Sequence, residues 1–183
     1  MRFRIFTFKG AAPVMIGSSA QGNEEGLPKL KAILEGAPGG GTPLCHHVRE
    51  VTKQIAAIAP DLRSAGRKAA LIIYTDGEAS DGDITAALKP LHDLPVWVVI
   101  RLCTNESRVV KYWADVDSQI ELNMDVLDDP MGEAVEIQKM NKWLNYGVPL
   151  HRLREFGITA KEMDALDEAR LSTEQMRAFC GFL

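Results

Sequence analysis

The sequence predicts an α/β fold, a three-layer sandwich around a mostly parallel sheet, with a small helical extension at its C-terminal end. Two apolar runs carry that reading, Ala-Leu-Ile-Ile-Tyr-Thr at 70–75 and Val-Trp-Val-Val-Ile at 96–100. Strands that are apolar on both faces belong to a parallel sheet covered by helices. Helical patterns lie between and around the two runs, and that alternation is the signature of an α/β sandwich.

The elements follow in order. Residues 3–8, Phe-Arg-Ile-Phe-Thr-Phe, are aromatic and β-branched and read as a strand. Lys9-Gly10 breaks it, and 13–16 form a short returning edge strand, where Pro13 is tolerated. A helix is expected over 24–36, with Leu27, Leu30 and Leu34 on one face. A glycine-rich loop, 37–41, follows. Thr42 then reads as an N-cap and Pro43 as the first residue of a helix. Leu44, Val48, Val51, Ile55 and Ile58 form its apolar stripe, and Pro60 ends it.

Strands at 69–75 and 95–102 enclose a helix at 83–92. A helix at 106–114, a last short strand at 119–122 and a longer helix at 130–146 complete a first unit, 1–148. The second unit, 149–183, holds two capping-box patterns, Thr159-x-x-Glu162 and Ser172-x-x-Gln175. His151, Arg152 and Arg154 read as a solvated basic helix face. Trp97, Trp113 and Trp143 read as packing residues.

The 183 residues fit one domain with a short appendage, since domains run to about 100–200 residues. Hydrophobic residues make up 46% and charged residues 25%, the balance of a globular chain. Lys+Arg number 21 against 25 Asp+Glu, a net charge of -4, which argues against a nucleic-acid partner. No apolar run approaches the roughly 20 residues of a membrane helix, so no membrane partner is expected. Cys45, Cys103 and Cys180 are odd in number and widely spaced, which predicts reduced thiols and a cytoplasmic location.

Two loops sit where a doubly wound sheet keeps its ligands, at the carboxyl ends of strands. One is Gly39-Gly40-Gly41-Thr42-Pro43. The other, 75–83, carries Asp76, Glu78, Asp81 and Asp83 and no basic residue. Such a cluster is costly unless it is solvated or neutralised. A strand-end Asp and a helix-opening Thr hydroxyl are the oxygen ligands that a hard divalent cation takes. The alternative is an acidic surface loop in which Asp81 or Asp83 caps the next helix. Cys45-His46-His47-x-x-Glu50 also carries ligating side chains, but reads as exposed residues with an ordinary His46–Glu50 pair. Arg101, Thr104 and Asn105 end the second parallel strand, with Thr104 or Asn105 as a capping residue.

Gly-Gly-Gly-Thr42-Pro-Leu opening a helix, Ala-Leu-Ile-Ile-Tyr-Thr-Asp76-Gly closing a strand, and Val96-Trp-Val-Val-Ile as the next strand together resemble a von Willebrand factor A domain over residues 3–146. The resemblance implies a Rossmann-like sheet and a protein-binding role for the loops around Thr42, Asp76, Gly77, Glu78, Arg101, Thr104 and Asn105. It also implies a Mg²⁺ at a metal-ion-dependent adhesion site, held by Thr42 and Asp76. The family's Asp-x-Ser-x-Ser loop and the strand before it are not matched, and Ser18-Ser19 falls too late to replace them. The metal site is therefore expected to be incomplete and Mg²⁺ to be held weakly by this chain. The strand at 3–8 is expected to close the gap by pairing beside 69–75, with a homodimer through the same sheet edge as the alternative.

The leading functional reading is a protein-binding module and not an enzyme. No Gly-x-Ser-x-Gly, phosphate-cradling glycine loop or paired-His motif is present in the sequence. Two alternatives stand beside it. One is a metal-assisted hydrolase with Asp76, Glu78 and Asp81 as ligands and His46 or His47 as base. The other is a metal-free structural fragment of a larger assembly.

Overall fold

Apolar side chains on both faces of two successive strands dictate the centre of the molecule. The computed structural model describes residues 3–5, 14–17, 20–37, 40–158 and 160–182. Strand β3 (Ala69–Thr75) lies parallel to β4 (Val96–Leu102), in the register Ala69↔Val96 through Thr75↔Leu102. β4 lies parallel to β5 (Met124–Leu127), with Val98↔Met124 and Arg101↔Leu127. The sheet order is β3-β4-β5, so β4 is central, and all of it except Arg101 is buried.

The strands before the sheet behave differently from expectation. β1 (Phe3–Ile5) pairs antiparallel with β2 (Val14–Ile16), forming a separate two-stranded sheet. For residues 3–5 this corrects the expected pairing beside β3; residues 6–8 of that expected strand lie outside the described residues, while the short returning strand expected at 13–16 is seen as β2. The short connection between β1 and β2 suits antiparallel pairing, which needs no crossover. Among the described residues, β3 is left as an edge strand. Phe6, Thr7, Phe8 and Pro13, Ser18 and Ser19, Pro38 and Gly39, and Thr159 lie outside the described residues.

Helix α1 (Ala20–Glu35) packs on β2. Its leucine stripe is not a buried face, since Leu27 and Leu34 are both exposed. Helix α2 (Leu44–Ser64) buries Leu44, Cys45, Val48 and Ile55 in the core beside the sheet, and Ala59 is buried as well. Ala59 continues the stripe where Ile58 was expected, and Ile58 is exposed. Pro60 does not end α2. Pro60 and Ala56, whose carbonyl loses its partner there, are both exposed, so solvent can satisfy the freed group. The helix closes at Gly66 (φ +60), with the Arg67 N–H donating to Leu62 O at 2.8 Å, in a Schellman-type cap.

After β3 come α3 (Ile84–Leu88), a 3₁₀ turn at Lys89–Leu91 and, beyond β4, α4 (Ser107–Gln119). The last strand is β5, not 119–122, because α4 runs on through Gln119. One face of the sheet, through Ile73, Val98, Ile100 and Leu102, packs with α2, α3 and α4 around Trp113. Side chains alternate across a strand. Trp97, Val99 and Leu127 therefore form a second cluster on the other face.

That other face meets the C-terminal helices. α5 (Pro130–Met140) and α6 (Val148–Glu155) precede the short α7 (Lys161–Asp164) and α8 (Thr173–Phe182). A Cβ on Gly157 would lie 3.0 Å from the Ala70 side chain, so the turn after α6 rests directly on the sheet. Ile137 of α5, Leu150 of α6 and Phe179 of α8 share a third buried cluster. Buried Asn141 ties it together. Its amide donates to Leu166 O and Ala169 O, and its oxygen accepts from Leu171 N–H. Ser172 and Gln175 form the expected reciprocal capping box. The molecule is thus an α/β fold with a three-stranded parallel sheet and helices on both faces. No described helix is long and apolar enough to cross a membrane.

Candidate functional site

The loops at 75–83 and 101–105 follow β3 and β4, whereas the Thr42 loop connects α1 to α2 and so does not end a strand as expected; hydrogen bonds hold it against the loop after β3. The Thr42 N–H donates to Ser80 Oγ at 2.7 Å, and the Ser80 N–H donates to Thr42 O at 2.9 Å. Gly41 makes this contact affordable, because a Cβ there would lie 2.9 Å from Ser80 Oγ. The N-cap position of α2 falls to Pro43, not to Thr42 as expected, and proline has no side chain that can cap. That task falls to Asp81, whose carboxylate accepts from the N–H groups of Cys45 (3.0 Å) and His46 (2.8 Å). Desolvation opposes charge on Asp81, but the two backbone donors outweigh it and hold its pKa below the usual carboxylate value. Burial and the nearby Asp81 charge push the Cys45 thiol up to about 11, which leaves it inert.

The remaining acids of the loop divide by role. Asp83 caps α3, accepting from the Thr85 N–H at 2.9 Å. Glu78 pairs with Arg108 of α4 at 2.7 Å on the exposed surface. Gly77 is pinned through its carbonyl by the Trp113 indole N–H at 3.1 Å and by the Thr75 hydroxyl at 3.0 Å. Asp76 is exposed and has no hydrogen-bond or ion-pair partner among the described residues. Asp76, Glu78 and Asp81 do not form a trio of ligand atoms within 4.8 Å of one another. The acidic loop is neutralised mainly by helix N-termini and by Arg108, with Asp76 left over.

Arg101, Thr104 and Asn105 lie on a second part of the same end. With Leu102, Cys103 and Asp129 they line an open cleft of about 460 Å³. Arg101 is anchored there. Its Nε donates to Glu155 Oε1 at 2.6 Å, and its Nη1 donates to Leu102 O and, at 3.5 Å, to Leu127 O. Thr104 Oγ1 accepts from the Glu106 N–H at the start of α4. Asn105 is exposed.

The largest departure from the sequence reading lies behind this cleft. Arg154 and His151 are not a solvated face; each is only 1% exposed. Arg154 donates to both oxygens of Asp125, to Glu133 at 2.7 Å and to Asp167 at 3.3 Å. Burial pushes Glu133 up to about 7 against the pull of Arg154, with Asp167 and Asp125 adding to the rise. His151 Nδ1 and the Tyr146 hydroxyl meet at 3.0 Å. Burial lowers the His151 pKa, and Glu155, 3.4 Å away, opposes that change. Arg101, Glu155, His151, Tyr146 and Arg154 thus form a chain of polar contacts from the cleft to the buried acids. The one sequence signal for it was Asp125, a carboxylate among apolar strand residues, which burial obliges to find a cation.

No protein-family model, curated protein or solved structure matches the chain. Fold and site together define a class: an α/β protein with a parallel sheet, carrying an acidic loop at the carboxyl end of β3, an edge strand among the described residues.

Proposed function

We propose that the chain is a protein-binding module of the von Willebrand factor A type with an incomplete metal-ion-dependent adhesion site. Its contact surface is the loop end of the sheet around Thr42, Asp76, Gly77 and Glu78, extended by Thr104 and Asn105. The observation that carries this reading is Asp76. It is the one acid of its loop that neither caps a helix nor pairs with a cation among the described residues, and it ends an edge strand of the sheet. Ligands of open α/β sheets bind at such strand ends. Two hydrogen bonds between Thr42 and Ser80, one to the Ser80 hydroxyl and one to the Thr42 carbonyl, tie the two loops to each other, as a preorganised surface requires.

A metal-assisted hydrolase has less support. It needs converging ligands and a base, and Asp81 and Glu78 are engaged in holding the loop. A Mg²⁺ at Thr42 and Asp76 would keep most of its waters, as that ion does with few protein ligands.

The test is affinity capture from lysate with Mg²⁺ present, compared between the native chain and Asp76→Ala. A protein retained by the native chain and lost with Asp76→Ala is the expected result. Retention of the same proteins by Asp76→Ala and by Thr42→Ala would overturn the reading.

A further inference from the structure

We infer that His46, His47 and Glu50 form a binding site for a divalent transition-metal ion of the Zn²⁺ class, separate from the Thr42–Asp76 end. The site lies on the first turns of α2. Glu50 stands four residues after His46 and three after His47, so one carboxylate on the next turn reaches both rings. Its Oε2 lies 3.5 Å from His46 Nε2 and 3.7 Å from His47 Nδ1. One ligand atom from each of the three residues falls within 4.8 Å of the others. Ligands about 2.0–2.2 Å from a tetrahedral Zn²⁺ stand about 3.4 Å apart. The two measured separations are therefore already close to those of a shared ion.

The donor set selects the ion. Two imidazoles and one carboxylate suit Zn²⁺ or a neighbouring transition ion, whereas Mg²⁺ and Ca²⁺ favour oxygen alone. Three protein ligands leave a fourth position for water. The His46 and Glu50 side chains are 63% and 47% exposed, so the ion can enter from solvent.

The obvious objection is electrostatic. The N-terminus of a helix is the positive end of its dipole and repels a cation. The fold removes that obstacle. The Asp81 carboxylate, from the loop after β3, caps the same turn and accepts from the N–H of His46 itself at 2.8 Å. It supplies negative charge beside the site and fixes the backbone that carries the first ligand.

The experiment is calorimetric titration of the untagged chain with ZnCl₂ in excess MgCl₂, followed by Co²⁺ substitution read in the visible spectrum. Outer-shell partners alone are worth about 10–100-fold in metal affinity. Loss of a ligand in His46→Ala or Glu50→Gln is expected to weaken binding by more than about tenfold, with one ion bound per native chain. Both substituted side chains are exposed, and an unchanged metal-free melting curve confirms that each variant is folded. Asp76→Ala is expected to bind Zn²⁺ like the native chain, and Co²⁺ to give the intense bands of a tetrahedral site. Equal affinity of the native chain and the His46→Ala, Glu50→Gln double variant would overturn the assignment. So would Zn²⁺ binding that is lost with Asp76→Ala, or no measurable uptake by the native chain.

Discussion

Arg154 on α6 donates two hydrogen bonds to Asp125 on β5, from Nε at 3.1 Å and from Nη2 at 2.9 Å, with both side chains buried. A bidentate pair of this kind sets position and angle together. It locks the C-terminal helices onto the sheet and, through Glu155 and Arg101, fixes the floor of the cleft. The same guanidinium also serves Glu133 and Asp167, so one cation answers three acids.

Removing that cation should be severe. Arg154→Met strands Asp125 and Glu133 in the interior, and breaking a buried pair costs about 3–5 kcal/mol. Urea unfolding should show a fall in midpoint of matching size. Arg154→Lys should recover only part of it, because an ammonium cannot reproduce the two-pronged geometry. A loss below about 1 kcal/mol in Arg154→Met would show that solvent reaches the acids.

Glu133 should make stability depend on pH with an unusual sign. Its folded pKa, about 7, lies above the ordinary carboxyl value of 4.5, chiefly because of burial. The folded state therefore holds a proton that the unfolded state has released. Its contribution is complete below the unfolded value and is lost as pH rises through about 7. Buried His151, whose pKa is lowered, slopes stability the other way over part of this range, so the Glu133 contribution is read as a difference. By chemical denaturation between these values, the native chain should lose stability relative to Glu133→Gln as pH rises. A slope unchanged in Glu133→Gln would assign it to another group.

The cap on α2 should be worth about 0.5–2 kcal/mol, the usual cost of removing a capping oxygen. Asp81→Ala removes the acceptor for both Cys45 and His46 N–H groups. Because the Asp81 pKa is lowered in the fold, the contribution is present above its unfolded value and disappears as pH falls through the folded one. The thermal shift between native and Asp81→Ala protein should accordingly be larger at neutral pH than in acid. An equal shift at both would mean that the charge plays no part.

These residues also mark how far the sequence could be read. β3 was legible to the residue because Lys68 and Asp76 bracket an unbroken apolar run. β5 was not, because Asp125 interrupts its pattern and its counter-charge, Arg154, is distant in sequence. Local periodicity carries no information about such a pair. For the same reason His151 and Arg154 looked solvated. Thr42-Pro43 carried a genuine helix-start signal, and α2 begins one residue beyond it, at Leu44 with Pro43 in the cap position. The capping oxygen nevertheless comes from Asp81 in another loop, which no rule of local spacing would select. Asp76 was legible as the strand-end acid, but its lack of a partner showed only when the other three acids were accounted for.

Gly41 and Ser80 should behave as a coupled pair. A methyl at Gly41 would meet Ser80 Oγ at 2.9 Å and displace the acceptor of the Thr42 N–H. Gly41 and Ser80 are both exposed and the hydroxyl can turn aside, so Gly41→Ala should destabilise by about 1 kcal/mol, the worth of the hydrogen bond it displaces. Ser80→Ala should cost about 1 kcal/mol through the lost hydrogen bond. The double variant should be less destabilised than the sum, since removing Oγ removes the clash. Simple additivity in thermal or urea unfolding would show that the loops separate instead of clashing.

Asp76 should be dispensable for folding and necessary for the metal. Surface substitutions away from caps and ion pairs change stability by within about 0.5 kcal/mol. Asp76 is exposed and does neither job, so Asp76→Ala should melt like the native chain. Mg²⁺ titration followed by backbone amide NMR should move the signals of Thr42, Asp76 and Gly77 in the native chain and leave them still in Asp76→Ala. With Thr42 and Asp76 as its protein ligands and water filling the remaining positions, binding should be weaker than micromolar. Sub-micromolar affinity would mean that further residues of the chain complete the shell. Unchanged Mg²⁺ shifts in Asp76→Ala would move the metal away from the strand end altogether, and the proposed contact surface with it.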